Sequence, residues 1–256
     1  MRRIQKFGHR NQNLDNAQNS NGIPATGDAA RAAWDKFTDK GDLLFHTLLR
    51  EQFGLCCYTE MNLADYKVNH GIGSHFEHEQ PKSSYPALTY IDNNLLRSVL
   101  SSDDLQHYSG AGRFAGHHKL SNYDPSKFIS PQSVDCAKYF VYLPDGSVEP
   151  SASLTPDERD KAIYTRDLLN LNAPFLKAER EKWLVEIKSV IDELVAEGAV
   201  DALTDLAELE LTLMDRRHPD LNQGVFPQLR SFHSATRPLF FSLGERVITQ
   251  HCPEID

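Results

Sequence analysis

Cysteine is scarce in this chain, and what there is forms no pattern. The four cysteines are Cys56, Cys57, Cys136 and Cys252, two of them adjacent. They do not make the evenly spaced framework of a small secreted disulfide protein. No C-x-x-C occurs, so a structural zinc site built from two such pairs is excluded; Cys56 and Cys57 are expected to be small buried apolar residues. Also missing is any apolar run of about 18 residues, so no membrane-spanning helix is expected. The start lacks the apolar stretch of a signal peptide, and the expected location is the cytoplasm. Positive charge is short as well: 27 Lys and Arg face 36 Asp and Glu, for a net charge of −9. That balance argues against a simple nucleic-acid binder, because phosphate contacts supply most of such affinity.

What is present is ordinary for a globular protein, with 40% hydrophobic and 25% charged residues. At 256 residues the chain can build one good core or two small ones. Basic residues gather at Arg2, Arg3, Lys6 and Arg10, and again at Lys82, Arg97, Arg113 and Lys119. Acidity gathers later, at Glu193, Glu197, Asp201, Asp205, Glu208 and Glu210, in the pattern of a solvated helix face.

The most informative stretch is Glu77-His78-Glu79-Gln80-Pro81-Lys82-Ser83. Asn93-Asn94-Leu95-Leu96 and then His117-His118-Lys119 follow it. A carboxylate beside a histidine, an asparagine and a second histidine, in that order, are the parts of an HNH nuclease site. Phosphodiester hydrolysis explains the residue types. A divalent ion can neutralise charge on the phosphate and leaving oxygens. A neutral histidine, held in one tautomer by a carboxamide or a backbone carbonyl, can deprotonate water. His78 is assigned as general base, Glu77 as a metal ligand and Asn94 as the orienting residue. One of His117 and His118 completes the ligation, with His118 favoured. Lys82, Arg97, Arg113 and Lys119 are expected to face nucleic-acid phosphate. The expected ion is Mg or Mn, with Zn or Ni also compatible with a mixed nitrogen and oxygen site.

The spacing predicts a two-stranded hairpin carrying His78, a loop with Asn94, and a helix or turn with His118. That is an α+β fold with a ββα-metal core. Three regions are expected: residues 1–54, with a basic start, a polar loop at 11–22 and helices; the nuclease core at 55–150; and a helical region at 151–256 that binds a partner. Asp28 is placed at the start of a helix running to Phe37, and Leu44, Phe45, Leu48, Leu49 and Phe53 have helical spacing. Residues 64–76 read as a strand-loop segment. The Ser-, Asp- and Gly-rich 98–117 reads as a flexible insert. Phe140, Tyr142 and Val148 around Asp145-Gly146 read as a hairpin. Thr155-Pro156-Asp157-Glu158 is a capped helix start, Pro174 opens a helix that Gly198 ends, and Leu203 to Met214 continue as another. His46, His218, His233 and His251 are assigned structural or surface places.

Leu55-Cys56-Cys57-Tyr58-Thr59-Glu60, Glu77 to Pro86, Asp92-Asn93-Asn94-Leu95-Leu96 and His118-Lys119 before Tyr123-Asp124-Pro125 together resemble the retron- and Septu-associated HNH endonucleases, the PtuB family. Phe140 to Gly146, Leu169-Asn170-Leu171-Asn172, Phe226-Pro227 and Ser234 to Arg237 extend the likeness along most of the chain. The resemblance implies the nuclease subunit of an anti-phage system paired with an ATPase subunit (PtuA-like). In some such systems a retron reverse transcriptase and its DNA take part. The chain departs from the family pattern where Thr59 stands at a cysteine position and Ser98 falls near another. His70, His75 and His107 lie near enough in sequence to be weighed as substitutes there. The competing reading is a catalytically silent adaptor that keeps the fold to bind the ATPase.

Overall fold

A computed structural model describes residues 1–108, 110–221 and 224–255. It combines helices with three two-stranded antiparallel sheets. The N-terminal helices are α1 (Gln12–Asn21), α2 (Gly27–Asp35), α3 (Leu43–Glu51) and α4 (Leu63–His70). They lead to β1 (Ser74–His78) and β2 (Leu95–Val99), then to the four-residue α5 (Gly116–Lys119). Next come β3 (Phe140–Tyr142) and β4 (Val148–Pro150), then α6 (Pro156–Leu168), α7 (Pro174–Glu197) and α8 (Val200–Leu211). The chain finishes with β5 (Met214–Arg216), β6 (Phe226–Gln228), α9 (His233–Thr236) and α10 (Phe241–His251).

Several elements follow directly from local chemistry. Thr155 accepts a hydrogen bond from the Glu158 N–H while the Glu158 carboxylate reaches back to the Thr155 N–H, with Pro156 in the first turn. Such a cap contributes about 1 kcal/mol. Gly198 ends α7 in the left-handed conformation that glycine adopts without strain. Phe140 pairs with Pro150 and Tyr142 with Val148 around the Asp145-Gly146 turn.

Other elements differ from expectation. The polar 11–22 stretch is helix α1. The Asn11 side chain caps it by accepting from the Asn13 N–H, and Leu14 anchors it in a small cluster with Leu44, Leu48, Tyr90 and Leu95. One buried leucine outweighs a run of poor helix formers. Residues 63–70 form a helix rather than a strand-loop. Asn62 caps Ala64 and Asp65, and Gly71 closes the other end. Thr26, not Asp28, caps α2, which ends at Asp35. Met214 belongs to β5, so residues 151–256 carry a hairpin among their helices. The 98–117 segment begins inside β2 and ends in α5; Ser109, within it, lies outside the described residues.

The largest apolar cluster draws on distant parts of the sequence, among them Leu49, Tyr58, Leu96, Phe114, Leu176 and Phe232. Cys56 and Cys57 are buried in this cluster, as their reading as small core residues requires. A second cluster joins α7, α8 and α10 through Ile187, Leu211 and Ile248. The β1–β2 hairpin therefore sits between the N-terminal helices on one face and α5 on the other. Among the described residues, no helix is long and apolar enough to cross a membrane.

Candidate active site

β1 decides which side chains meet. Successive side chains on a strand point to opposite faces. Phe76 and His78 face α2, where Trp34 meets both rings edge-on, at centroid distances of 6.0 and 4.5 Å. His75 and Glu77 face α5. Glu77 and His78 are neighbours in sequence but look into two compartments.

In the first compartment, the Glu77 carboxylate is buried. Its Oε1 lies 2.9 Å from the Lys119 Nζ and accepts from the Tyr58 hydroxyl at 3.3 Å. Its Oε2 lies 3.3 Å from His75 Nε2. Burial pushes the carboxyl up, but the opposing contacts, chiefly the Lys119 ammonium, more than offset this and hold it at about 2. The Lys119 ammonium also donates to the His78 and Glu79 carbonyls, each at 3.1 Å. It is 1% exposed. The expectation that Lys119 contacts phosphate is therefore corrected: three oxygens of β1 and its continuation already occupy its donors.

Helix α5 explains the histidines. Gly116 and Lys119 are three residues apart and share the face turned to Glu77. A Cβ at Gly116 would lie 2.4 Å from Glu77 Oε2 and 2.9 Å from His75 Nε2, so this close approach requires glycine. His117 turns towards His75, with ring centroids 4.2 Å apart. His118 turns away and donates from Nδ1 to the Leu168 carbonyl at 2.9 Å. Of the two, His117 is the one that lies beside the Glu77 group, contrary to the preference for His118. The Leu100 carbonyl accepts from His75 Nδ1 at 2.6 Å and also engages the His117 ring. A carbonyl can only accept, so His75 Nδ1 carries a proton. The His117 Nε2 is buried without a partner. Burial first, then His75, lowers His117 to about 4.

The second compartment holds His78, itself buried. Its Nε2 donates to the Thr89 carbonyl at 3.0 Å, so the lone pair of the neutral ring is on Nδ1. The Lys82 ammonium donates to that Nδ1 at 3.2 Å. Burial, reinforced by Lys82, lowers His78 to about 3, so the ring is neutral near pH 7. Lys82 also stands 5.3 Å from the centre of the Trp34 ring. Among the described residues, Asn94 makes no hydrogen bond to the His78 ring. Its carboxamide accepts from the Gln80 N–H at 2.8 Å and donates to the Gln80 carbonyl at 3.0 Å, tying the two ends of the hairpin loop together.

The remaining basic residues serve structure in part. The Arg97 guanidinium lies 4.3 and 4.5 Å from the centres of the Phe45 and Phe76 rings and donates to Ser74, so it does not face a substrate as expected. Arg113 donates to the Tyr108 carbonyl at 3.3 Å. His75 takes a part beside Glu77 that the motif order did not predict. The signal was present: two residues before Glu77 on a strand means the same face. Thr89 and Trp34 carried no comparable signal, because a backbone carbonyl and a packed ring have no motif.

No family model matches the chain. The chain is similar to a protein of Vibrio cholerae serotype O1 biovar El Tor named retron Vc95 putative HNH endonuclease. The two are 28% identical over 137 residues, which is 54% of this chain and 60% of that protein. The chain thus spans less than two thirds of that relative's length.

An HNH site implies a divalent ion, and the residues beside Glu77 test that implication. A carboxylate and two imidazoles are donors that Mn, Ni or Zn accept. With Nδ1 of His75 protonated, its Nε2 and the Glu77 oxygen face one another, and the unpartnered His117 Nε2 is close by. Among the described residues, however, no three His, Cys, Asp or Glu side chains are grouped so as to hold a metal ion. The donor chemistry suits the ion, while the Glu77 charge is balanced by Lys119.

Proposed function

We propose that this chain is an HNH-type endonuclease that hydrolyses phosphodiester bonds, with DNA the preferred substrate over RNA. On this reading β1, β2 and α5 are the two strands and the helix of a ββα-metal core. The observation that carries it is the state of His78: neutral, fixed by the Thr89 carbonyl, with its Nδ1 lone pair beside the Lys82 ammonium. A substrate phosphate would draw Lys82 away from Nδ1 and leave that lone pair to take a proton from water. Asn94 is a positioning residue for the loop. Glu77, with His75 and His117, would hold a divalent ion, which supplies stabilisation of the charge on the phosphate when bound. The retron name of the similar protein supports a retron setting; a defence role of the Septu kind, an ATPase partner (PtuA-like) and a reverse transcriptase with its DNA are proposed on the sequence resemblance alone.

The test is cleavage of plasmid DNA and of total tRNA with Mg or Mn, by the chain and by His78→Ala. Metal-dependent cutting that the variant lacks is the expected result. Cutting that survives in the variant would remove His78 as the base. The Lys119–Glu77 pair favours a second reading, a silent adaptor, because an ammonium already satisfies the carboxylate. No cutting by the chain, alone or with a co-expressed ATPase, would leave the adaptor standing.

A further inference from the structure

The basic start of the chain takes no part in the site just described, yet it is laid out along the surface in an orderly way. A cavity of about 730 Å³ is lined by Arg2, Arg3, Lys138, Arg237 and Phe241, among others. A second, of about 370 Å³, shares Arg2, Arg3 and Ile255 with it and continues past Lys6 and Phe7. A third, of about 340 Å³, shares Glu51 with the second and runs past His9 and Arg10 to residues 90–93. The three follow one another along residues 2–10 as a trough that the buried Glu51 divides between the second and third cavities. Its far end lies against the turn just before Asn94. From the second cavity Lys6 donates to the Leu95 carbonyl at 2.9 Å, and Leu95 pairs with His78 across the hairpin.

The trough has the chemistry of a strand-binding surface. Six cations line it: Arg2, Arg3, Lys6, Arg10, Lys138 and Arg237. Four carboxylates also line it, Glu51, Asp92, Glu245 and Glu254. Most of these cations are already paired, Lys6 with Glu51, Arg10 with Asp15, Lys138 with Asp135 and Glu158, and Arg237 with Glu245. Among the described residues, Arg3 makes no ion pair or side-chain hydrogen bond, although it stands where two of the cavities meet. Two aromatic rings stand out into water beside the cations: Phe241 is 81% exposed and Phe7 is 48% exposed. Exposed aromatics interleaved with cations are what sequence-tolerant single-strand binding uses, the rings stacking on bases and the cations tracking phosphates. An acidic protein segment would use the cations but would leave the two rings without a role.

We infer that this trough binds a single strand of nucleic acid and leads it to the Asn94 turn. The inference rests on the endonuclease reading for its destination, but not for its binding chemistry.

The experiment is fluorescence anisotropy of a labelled oligothymidylate of about 20 nucleotides with the full chain, in buffer without divalent metal, between 50 and 200 mM salt. The chain, Arg3→Ala/Arg10→Ala and Phe241→Ala are compared, with thermal melts to show that each is folded. Each phosphate contact on a single strand contributes about 0.7 to the slope of log K against log salt, so the double variant should lose about 1.4. Phe241→Ala should bind about tenfold more weakly, with its salt slope unchanged. Absent binding by the folded parent chain, or unchanged affinity and slope in both folded variants, would overturn the inference. So would displacement of the oligonucleotide by poly-glutamate as efficiently as by unlabelled oligonucleotide, which would mark the trough as a site for acidic protein. Binding that follows the expected pattern in a chain that never cuts would sink the endonuclease reading alone.

Discussion

The Lys119 ammonium and the Glu77 carboxylate, 2.9 Å apart and both buried, form a single ion pair between α5 and β1. Because Lys119 also holds the His78 and Glu79 carbonyls, this one side chain fixes the strand end on which both candidate catalytic compartments depend. Removing one partner of a buried pair leaves the other charged and unpaired, which costs about 3–5 kcal/mol. Lys119→Met should lower the melting temperature by roughly 10 °C in a protein of this size. Glu77→Gln combined with Lys119→Met should recover much of that loss, because no uncompensated charge remains. Circular dichroism melts of the three variants check this. A loss in Lys119→Met no larger than that of an exposed pair, about 1 kcal/mol or less, would mean the ammonium is not held as described.

Lys82 sets the basicity of His78. Burial lowers the imidazole first, and the ammonium 3.2 Å from Nδ1 lowers it further, to about 3. Lys82→Met keeps the side chain's length and removes the charge, so the His78 titration should move upward, towards the ordinary histidine value near 6.5. The proton affinity should rise at least tenfold, read from the pH dependence of the His78 ring resonances. A titration that stays in place would show that burial alone governs the ring.

How much of this was legible in the sequence depends on what each residue type can signal. The hairpin, the Thr155 cap and the Gly198 stop were readable, because turn residues and caps act within a few positions. The ordered Glu77, His78, Asn94 and His117-His118 were readable as parts. Their partition was not carried by motif order. Strand alternation sends Glu77 and His78 to opposite faces, and the four-residue α5 turns His117, not His118, towards the Glu77 face. Helix α1 was hidden because its stability comes from Leu14 meeting Leu44 and Leu48, contacts that no local propensity reports. The burial of Lys119 was hidden for a similar reason. Lysine is almost never fully buried unless paired, and its partner here is 42 positions away across the hairpin.

Acid should destabilise the fold through histidines remote from the site. His233 is buried, its Nε2 donating to the Leu211 carbonyl at 3.2 Å, and burial lowers it to about 4. His218 is buried against Phe45 and is also lowered to about 4, chiefly by burial. An unfolded histidine titrates near 6.5, so between pH 4 and 6.5 the unfolded chain binds more protons than the folded one. Stability therefore rises with pH across that window and is fully present above it. His233 alone contributes up to about 3 kcal/mol of this change. His233→Asn should flatten the fall in denaturation midpoint between pH 6.5 and 4.5. An equally steep fall in that variant would assign the acid sensitivity elsewhere.

The two adjacent histidines of α5 should separate cleanly in metal binding. His117 offers an unpartnered Nε2 in the Glu77 compartment, while His118 donates to the Leu168 carbonyl on the other side of the helix. Losing one of a few ligands typically weakens a site by far more than losing a neighbour that touches none. Isothermal titration of the full chain with Mn or Ni should therefore show at least a tenfold loss of affinity for His117→Ala and His75→Ala, and little change for His118→Ala. The reverse order, with His118→Ala the damaging change, would mean that α5 turns on metal binding and that the preference for His118 was right. Chelator should shift the melting temperature of the metal-loaded parent downward and leave that of His117→Ala where it was, since only a ligand that binds the folded state stabilises it.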